Sequence, residues 1–235
     1  MKTLVITGAS KGIGLSTAVR FANAGYRVLN ISRTEAPDAR IENHAIDLSM
    51  SDCGEQLTEL LAFVLDDGEI CLVHNAARMV RDRAGETDPD ALAEILAINV
   101  MRTESLEWPS HPKMAPGSSL IYIGSTLGEK AVAGTHSYVV SKHAIVGMMR
   151  ATCQDLAGRG IHTACICPGF TDTETLRARI GEDESVLESF ASNSAYGGLI
   201  EPEDIAATID FAANNPVING AVIHANLGQI EHSGR

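Results

Sequence analysis

Residues 2–24 leave this chain few choices of fold. Residues 2–7 (KTLVIT) form a short β-branched run, followed at once by Gly8-Ala9-Ser10-Lys11-Gly12-Ile13-Gly14 and then by a helical run over residues 15–24. A strand that feeds a glycine-rich turn and a helix start is where a dinucleotide pyrophosphate sits. The glycines let the backbone approach the ligand, and the free N–H groups and dipole of the helix face the anion. The spacing here is G-x-x-x-G-x-G, not G-x-G-x-x-G. A turn that merely tightens a loop is the simpler reading, and the strand before and helix after argue against it.

The pattern continues along the chain. Strand-like runs fall near residues 2–7, 27–32, 43–46, 70–74, 119–124, 161–167 and 221–225. Helical stretches fall near 12–24, 51–65, 88–106, 136–158 and 202–213. Such alternation predicts an α/β fold, a doubly wound sheet of about seven parallel strands with helices on both faces. The ligand crevice is expected at the carboxyl ends of the strands, where the strand order reverses. No repeat or linker divides the chain, and 235 residues suit one domain over residues 1–235.

Composition narrows the function. A net charge of −12 argues against nucleic-acid and anionic-membrane binding. No apolar run is long enough to span a bilayer, and the N-terminus reads as a strand rather than a signal sequence. Five cysteines then fit reduced thiols and a cytoplasmic location. Cys165-x-Cys167 lies in an apolar run and reads as strand packing. The eight histidines show no metal-ligand spacing, and no metal is expected.

Tyr138 and Lys142 carry the chemistry. Four residues apart on a helix, they share a face one turn apart, and an ammonium near a phenol favours the phenolate. Such a tyrosine is suited to exchange a proton with a carbonyl or alcohol oxygen. The pair alone is common on helices. Its weight comes from the glycine turn, which supplies a site for a redox partner.

In combination these features resemble one family. Thr7-Gly8-x-x-x-Gly12-x-Gly14, then Asn75-Ala76-Ala77, Ser125, Tyr138-x-x-x-Lys142 and Pro168-Gly169 occur in the order and at the distances of the compact short-chain dehydrogenases/reductases. The resemblance covers nearly the whole chain. It implies a cofactor cradle of Gly8, Ser10, Lys11, Gly12, Ile13 and Gly14, with Asn75, Ala76 and Ala77 beside the nucleotide. It further implies that Ser125 binds the substrate oxygen and that Tyr138 is the general acid/base. Lys142 assists the tyrosine and contacts the nicotinamide ribose, and Asn99 holds a water in a proton relay. Asn99 interrupts an apolar helical stretch, and a packing amide is the alternative there. Arg78 stands where relatives have glycine, so its side chain must point outward or into the cleft.

The second strand bears on the cofactor. An NAD site usually ends this strand with a carboxylate on the ribose 2′-hydroxyl; here Ser32-Arg33 stands there. A guanidinium pairs with a 2′-phosphate that a carboxylate would repel, and Lys11 adds a second cation. NADP(H) is therefore expected over NAD(H), with Glu35 the nearest acid for the alternative. Asp47-Leu48 matches the family's adenine-contacting pair or, equally, a helix N-cap region before Ser49.

In the family's Pro-Gly segment a downstream threonine binds the carboxamide; Thr173 fits best, with Thr171 beside it. Residues 171–200 are expected to form a substrate lid. There Arg177 and Arg179 stand among Glu182, Asp183, Glu184 and Glu188, either as solvated charges or as contacts to an anionic substrate. Residues 108–116 read as an irregular surface stretch. Asn226-Leu227-Gly228 replaces the relatives' Asp-Gly-Gly, near a region that often makes subunit contacts, so a homodimer or homotetramer is expected.

The reading is thus NADP(H)-dependent hydride transfer between the nicotinamide and a small carbonyl or secondary-alcohol substrate. Two alternatives stand beside it. A non-catalytic redox sensor typically loses the Tyr or the Lys. A sugar-nucleotide epimerase or dehydratase usually has another glycine spacing and a longer substrate domain.

Overall fold

The computed structural model describes residues 1–181 and 184–229, without the side chains of Arg179 and Glu184. Seven strands form one sheet: β1 (Thr3–Thr7), β2 (Arg27–Ser32), β3 (Ile41–Ala45), β4 (Ile70–His74), β5 (Ser119–Ile123), β6 (His162–Pro168) and β7 (Ala221–Ala225). Their order is β3-β2-β1-β4-β5-β6-β7, and every pairing is parallel. The order reverses between β1 and β4, so the crevice expected of a doubly wound sheet opens there.

Strand alternation builds a core on each face. Val5, Leu72, Tyr122 and Cys165 point into one apolar layer, which includes residues of α2 (Cys53–Val64) and α5 (His136–Asp155). Leu4, Ile6, Val73, Ile121 and Ile166 point into the other, with α1 (Gly12–Asn23) and α8 (Pro202–Ala213). Cys165 and Cys167 are both fully buried, as strand packing predicts. Among the described residues no helix is long and apolar enough to cross a membrane.

Three stretches differ from expectation. The helix anticipated over 88–106 is α3 (Pro89–Leu96), a π-helical turn (Ala97–Met101) and α4 (Arg102–Ser110). Residues 108–116 are therefore not all irregular: α4 runs through Pro109, and a 3-10 turn follows at His111–Lys113. Glu107 explains the extension. Buried on α4, it accepts the Tyr122 hydroxyl at 2.6 Å and faces His74 Nε2 at 3.0 Å. Burial pushes its carboxyl up, yet the combined pull of His74, Tyr122 and His111 outweighs this and holds it below the usual range.

The third difference lies in residues 174–200, which contain α6 (Glu174–Ile180) and α7 (Glu184–Ala191). Phe190 of α7 packs edge to face on Phe170, with ring centroids 4.6 Å apart.

Candidate active site

The cleft begins at the glycine turn. Gly8 and Gly12 adopt φ of 72° and 54°, the left-handed region that suits glycine. Gly14 is required by space: a Cβ there would lie 2.2 Å from Gly8 O. The turn is held from two sides. Asn30 Oδ1, from β2, accepts the Ala9 N–H at 2.9 Å. Asn75 Nδ2 donates to Thr7 O and Gly8 O at 2.9 and 3.0 Å. No side chain caps α1 and its first turn holds no acid. Its leading N–H groups thus present a cradle that fits a pyrophosphate.

At the end of β2, Ser32 donates to the carbonyl of Thr34. Arg33 lies 4.0 Å from Asp47 across the rim, with 75% of its side chain exposed. Asp47 is not a helix cap, since α2 begins six residues later. It accepts the Ser49 N–H and hydroxyl at 2.9 and 2.7 Å. Those bonds, with Arg33 nearby, hold its carboxyl below the usual range. Leu48 is nearly buried and belongs to the core beneath.

Beyond β4, Arg78 turns its guanidinium outward to Glu94. Its backbone is clasped by Asn99: Oδ1 accepts the Arg78 N–H at 2.7 Å, and Nδ2 donates to Arg78 O at 2.8 Å and Ser141 Oγ at 3.0 Å. Both amide protons of Asn99 are thus committed, which leaves one lone pair of Oδ1 for a water. The π-helical turn carries Asn99, consistent with the tendency of such turns to aim side chains at sites.

Ser125 follows β5, and its Oγ accepts the Leu127 N–H at 3.2 Å, which leaves its proton to donate. Lys142 is 3% exposed, and its Nζ donates to Ile123 O at 2.7 Å. That ammonium stands 5.4 Å from the Tyr138 ring centroid. No carboxylate pairs with it among the described residues, so its charge is available to an anion at Tyr138. Beneath, a Cβ on Gly124 would lie 2.8 Å from both Cys165 Sγ and Cys167 Sγ, which fixes glycine before Ser125.

The segment after β6 closes over the turn. A Cβ on Gly12 would approach Thr173 Cγ2 to 3.1 Å. Thr173 caps α6 by accepting the Leu176 N–H at 3.2 Å, and Thr171 donates to Gly169 O at 3.2 Å. Arg177 forms a two-point pair with Asp172, so its charge is neutralised within the fold. Glu182, Asp183 and the side chains of Arg179 and Glu184 lie outside the described residues. Leu227 adopts φ of 51°, a left-handed backbone unusual for leucine, and Gly228 follows at φ 74°.

Every expected cofactor residue lines one cleft of about 1650 Å³, together with Ser125, Tyr138 and Lys142. Asn99 lies behind the wall. Among the described residues no cluster of His, Cys, Asp or Glu could hold a metal.

The motifs did not point to Asp82. Its carboxylate accepts the Ser137 N–H at 3.1 and 3.2 Å and the Thr87 hydroxyl at 3.2 Å. It thereby caps α5 one residue before Tyr138. No local signal marks it, because its partner is 55 residues away.

Comparison with known proteins agrees with this geometry. Residues 8–229 match the family model described as enoyl-(acyl carrier protein) reductase. The chain is 30% identical to the short-chain reductase protein NovJ of Streptomyces niveus, over 96% of this chain and 92% of that one. It is 29% identical to acetoacetyl-CoA reductase of Rhizobium meliloti, over 97% and 98%. The structure of ElxO with NADP bound superposes with a TM-score of 0.87 at 25% identity, covering 98% of this chain and 99% of that one.

Proposed function

The chain belongs to the short-chain dehydrogenase/reductase family, and from that premise we propose an NADP(H)-dependent oxidoreductase that interconverts a carbonyl and a secondary alcohol, with Tyr138 as general acid/base. The observation that carries this reading is the meeting of Tyr138, Lys142 and Ser125 with the glycine cradle in one cleft.

Gly8, Ser10, Lys11, Gly12, Ile13 and Gly14 would hold the pyrophosphate, Arg33 and Lys11 a 2′-phosphate, and Asp47 and Leu48 the adenine end. Asn75, Ala76 and Ala77 would flank the nucleotide, with Pro168, Gly169, Thr171 and Thr173 at the nicotinamide. When bound there, NADPH would supply the hydride for the carbonyl carbon. Ser125 donates to the substrate oxygen and orients it. Tyr138 gives its proton to that oxygen as negative charge develops there. The Lys142 ammonium, which no carboxylate among the described residues neutralises, stabilises the phenolate left behind. Asn99 acts as a positioning residue that ties the segment after β4 to α5, with its Oδ1 available to a relay water. In the oxidative direction Tyr138 takes the proton. Residues 171–200 serve as the lid, and the working form is a homodimer or homotetramer.

The test is NADPH consumption across ketones, aldehydes, quinones, sugars and 3-oxoacyl thioesters, with Tyr138→Phe as control. The variant is expected to lose about a thousandfold or more in kcat, within the reach of general acid catalysis combined with oxyanion stabilisation. NADPH affinity should stay within about twofold, as Tyr138 acts on the reacting oxygen. Undiminished turnover would remove Tyr138 from the reaction.

A further inference from the structure

One polar side chain in the cleft has no part in the reaction described above. Gln229, in the turn after β7, is 8% exposed and lines the cleft wall. Its amide oxygen is enclosed and has no hydrogen-bond partner among the described residues. Its backbone is pinned, since the Gln229 N–H donates to Asn226 O at 2.9 Å and to Asn226 Oδ1 at 3.2 Å. The amide presses on the end of β6: a Cβ on Gly169 would lie 2.8 Å from Gln229 Oε1. Phe170, Phe190 and Gln229 together line both the cleft and a smaller space beneath α7.

A buried acceptor without a donor is unfavourable, and an apolar residue of similar volume would avoid that loss. A ligand that brings a donor converts the deficit into recognition, because its analogue without the donor leaves the amide unsatisfied. The last side-chain torsion of glutamine is broad and Gln229 lines the cleft wall, so a ligand seated there meets its amide. Thr171 and Thr173 already offer hydroxyls for the nicotinamide carboxamide, and Gln229 shares the lining of both spaces with Phe170 and Phe190.

Resting on the function proposed above, we propose that Gln229 determines substrate specificity by accepting a hydrogen bond from a hydroxyl beside the reacting carbonyl. The substrate class is then hydroxylated carbonyl compounds, hydroxyketones and sugar-like molecules, rather than unsubstituted ketones.

The experiment compares hydroxyacetone with methoxyacetone, which share an electron-withdrawing oxygen and differ in the donor. Steady-state kcat/KM is measured with NADPH for the parent protein, Gln229→Leu and the equally long Gln229→Met. The parent should favour hydroxyacetone by about tenfold or more. Both variants should bring that ratio to within about twofold, mainly through KM for hydroxyacetone, with NADPH affinity unchanged. Gln229→Glu, which keeps an acceptor, should retain the preference. A parent that turns over both ketones without preference, or a preference that survives in a folded variant, overturns the assignment. A parallel loss of NADPH affinity would give the amide to the cofactor and overturn it too. Failure of the parent to reduce any carbonyl would instead sink the underlying oxidoreductase reading.

Discussion

Arg33 holds its guanidinium at the open end of the cleft, weakly paired to Asp47 and largely in solvent. A 2′-phosphate would draw it into a charge-assisted bond worth about 1.5–3 kcal/mol. Arg33→Ala should therefore weaken NADPH by about tenfold to a hundredfold while NADH binding changes little, as read by fluorescence titration. Equal losses for both nucleotides would end the 2′-phosphate assignment. Arg33 could be read from the sequence because it directly follows a β-branched strand, as Tyr138 and Lys142 could because one helical turn joins them. Asn30, Asp82 and Gln229 could not. Each acts on a backbone or cavity distant in sequence: Asn30 reaches Ala9 across 21 residues and Asp82 reaches Ser137 across 55.

At the scale of elements, the strands other than β3 were legible because each centres on a short apolar run between turn signals; β3 (Ile41–Ala45) is mostly polar and begins two residues before the expected 43. The helix over 88–110 was less so. Its π-helical turn and its passage through Pro109 answer to contacts of Asn99 and Glu107 with other elements, which helical periodicity does not encode. The start of α5 is likewise set from afar by Asp82. Burial pushes that carboxyl up, but the Ser137 and Thr87 hydrogen bonds outweigh it, so the folded pKa lies below the ordinary value. A depressed folded pKa means that the stabilisation is complete above the unfolded Asp pKa of about 3.9 and is lost as pH falls through the folded value. Asp82→Asn should cost about 1 kcal/mol near pH 7, the scale of a helix cap. In urea unfolding at a series of pH values, the gap between parent and variant should close on acidification below that range. A gap that widens in acid would show that Asp82 does not cap α5 as a carboxylate.

At the scale of the molecule, the chain is acidic, with a net charge of −12, yet Lys11 and Arg33 both line the glycine-turn end of the cleft. That contrast suits a local anion site on a protein that repels polyanions in general. The outer surface adds a second contrast. Met101 and Trp108 are 59% and 74% exposed along the π-turn and α4, and Val140 of α5 is 39% exposed. Single exposed apolar residues are ordinary, but these three lie on elements that carry or adjoin Asn99 and Tyr138, the π-turn with α4 and the α5 that packs on that turn. If this face is covered in the proposed oligomer, assembly should steady the same helices that carry Asn99, Tyr138 and Lys142. Trp108 is the only tryptophan in the chain, so its fluorescence reports this face alone. Light scattering should give a dimer or tetramer, with Trp108 emission blue-shifted and poorly quenched by iodide. Dilution below the dissociation constant should shift the emission to the red, expose it to iodide and lower specific activity together. An assembled protein whose Trp108 stays fully quenchable would place the subunit contact elsewhere, and a monomer with full activity would dismiss the oligomer.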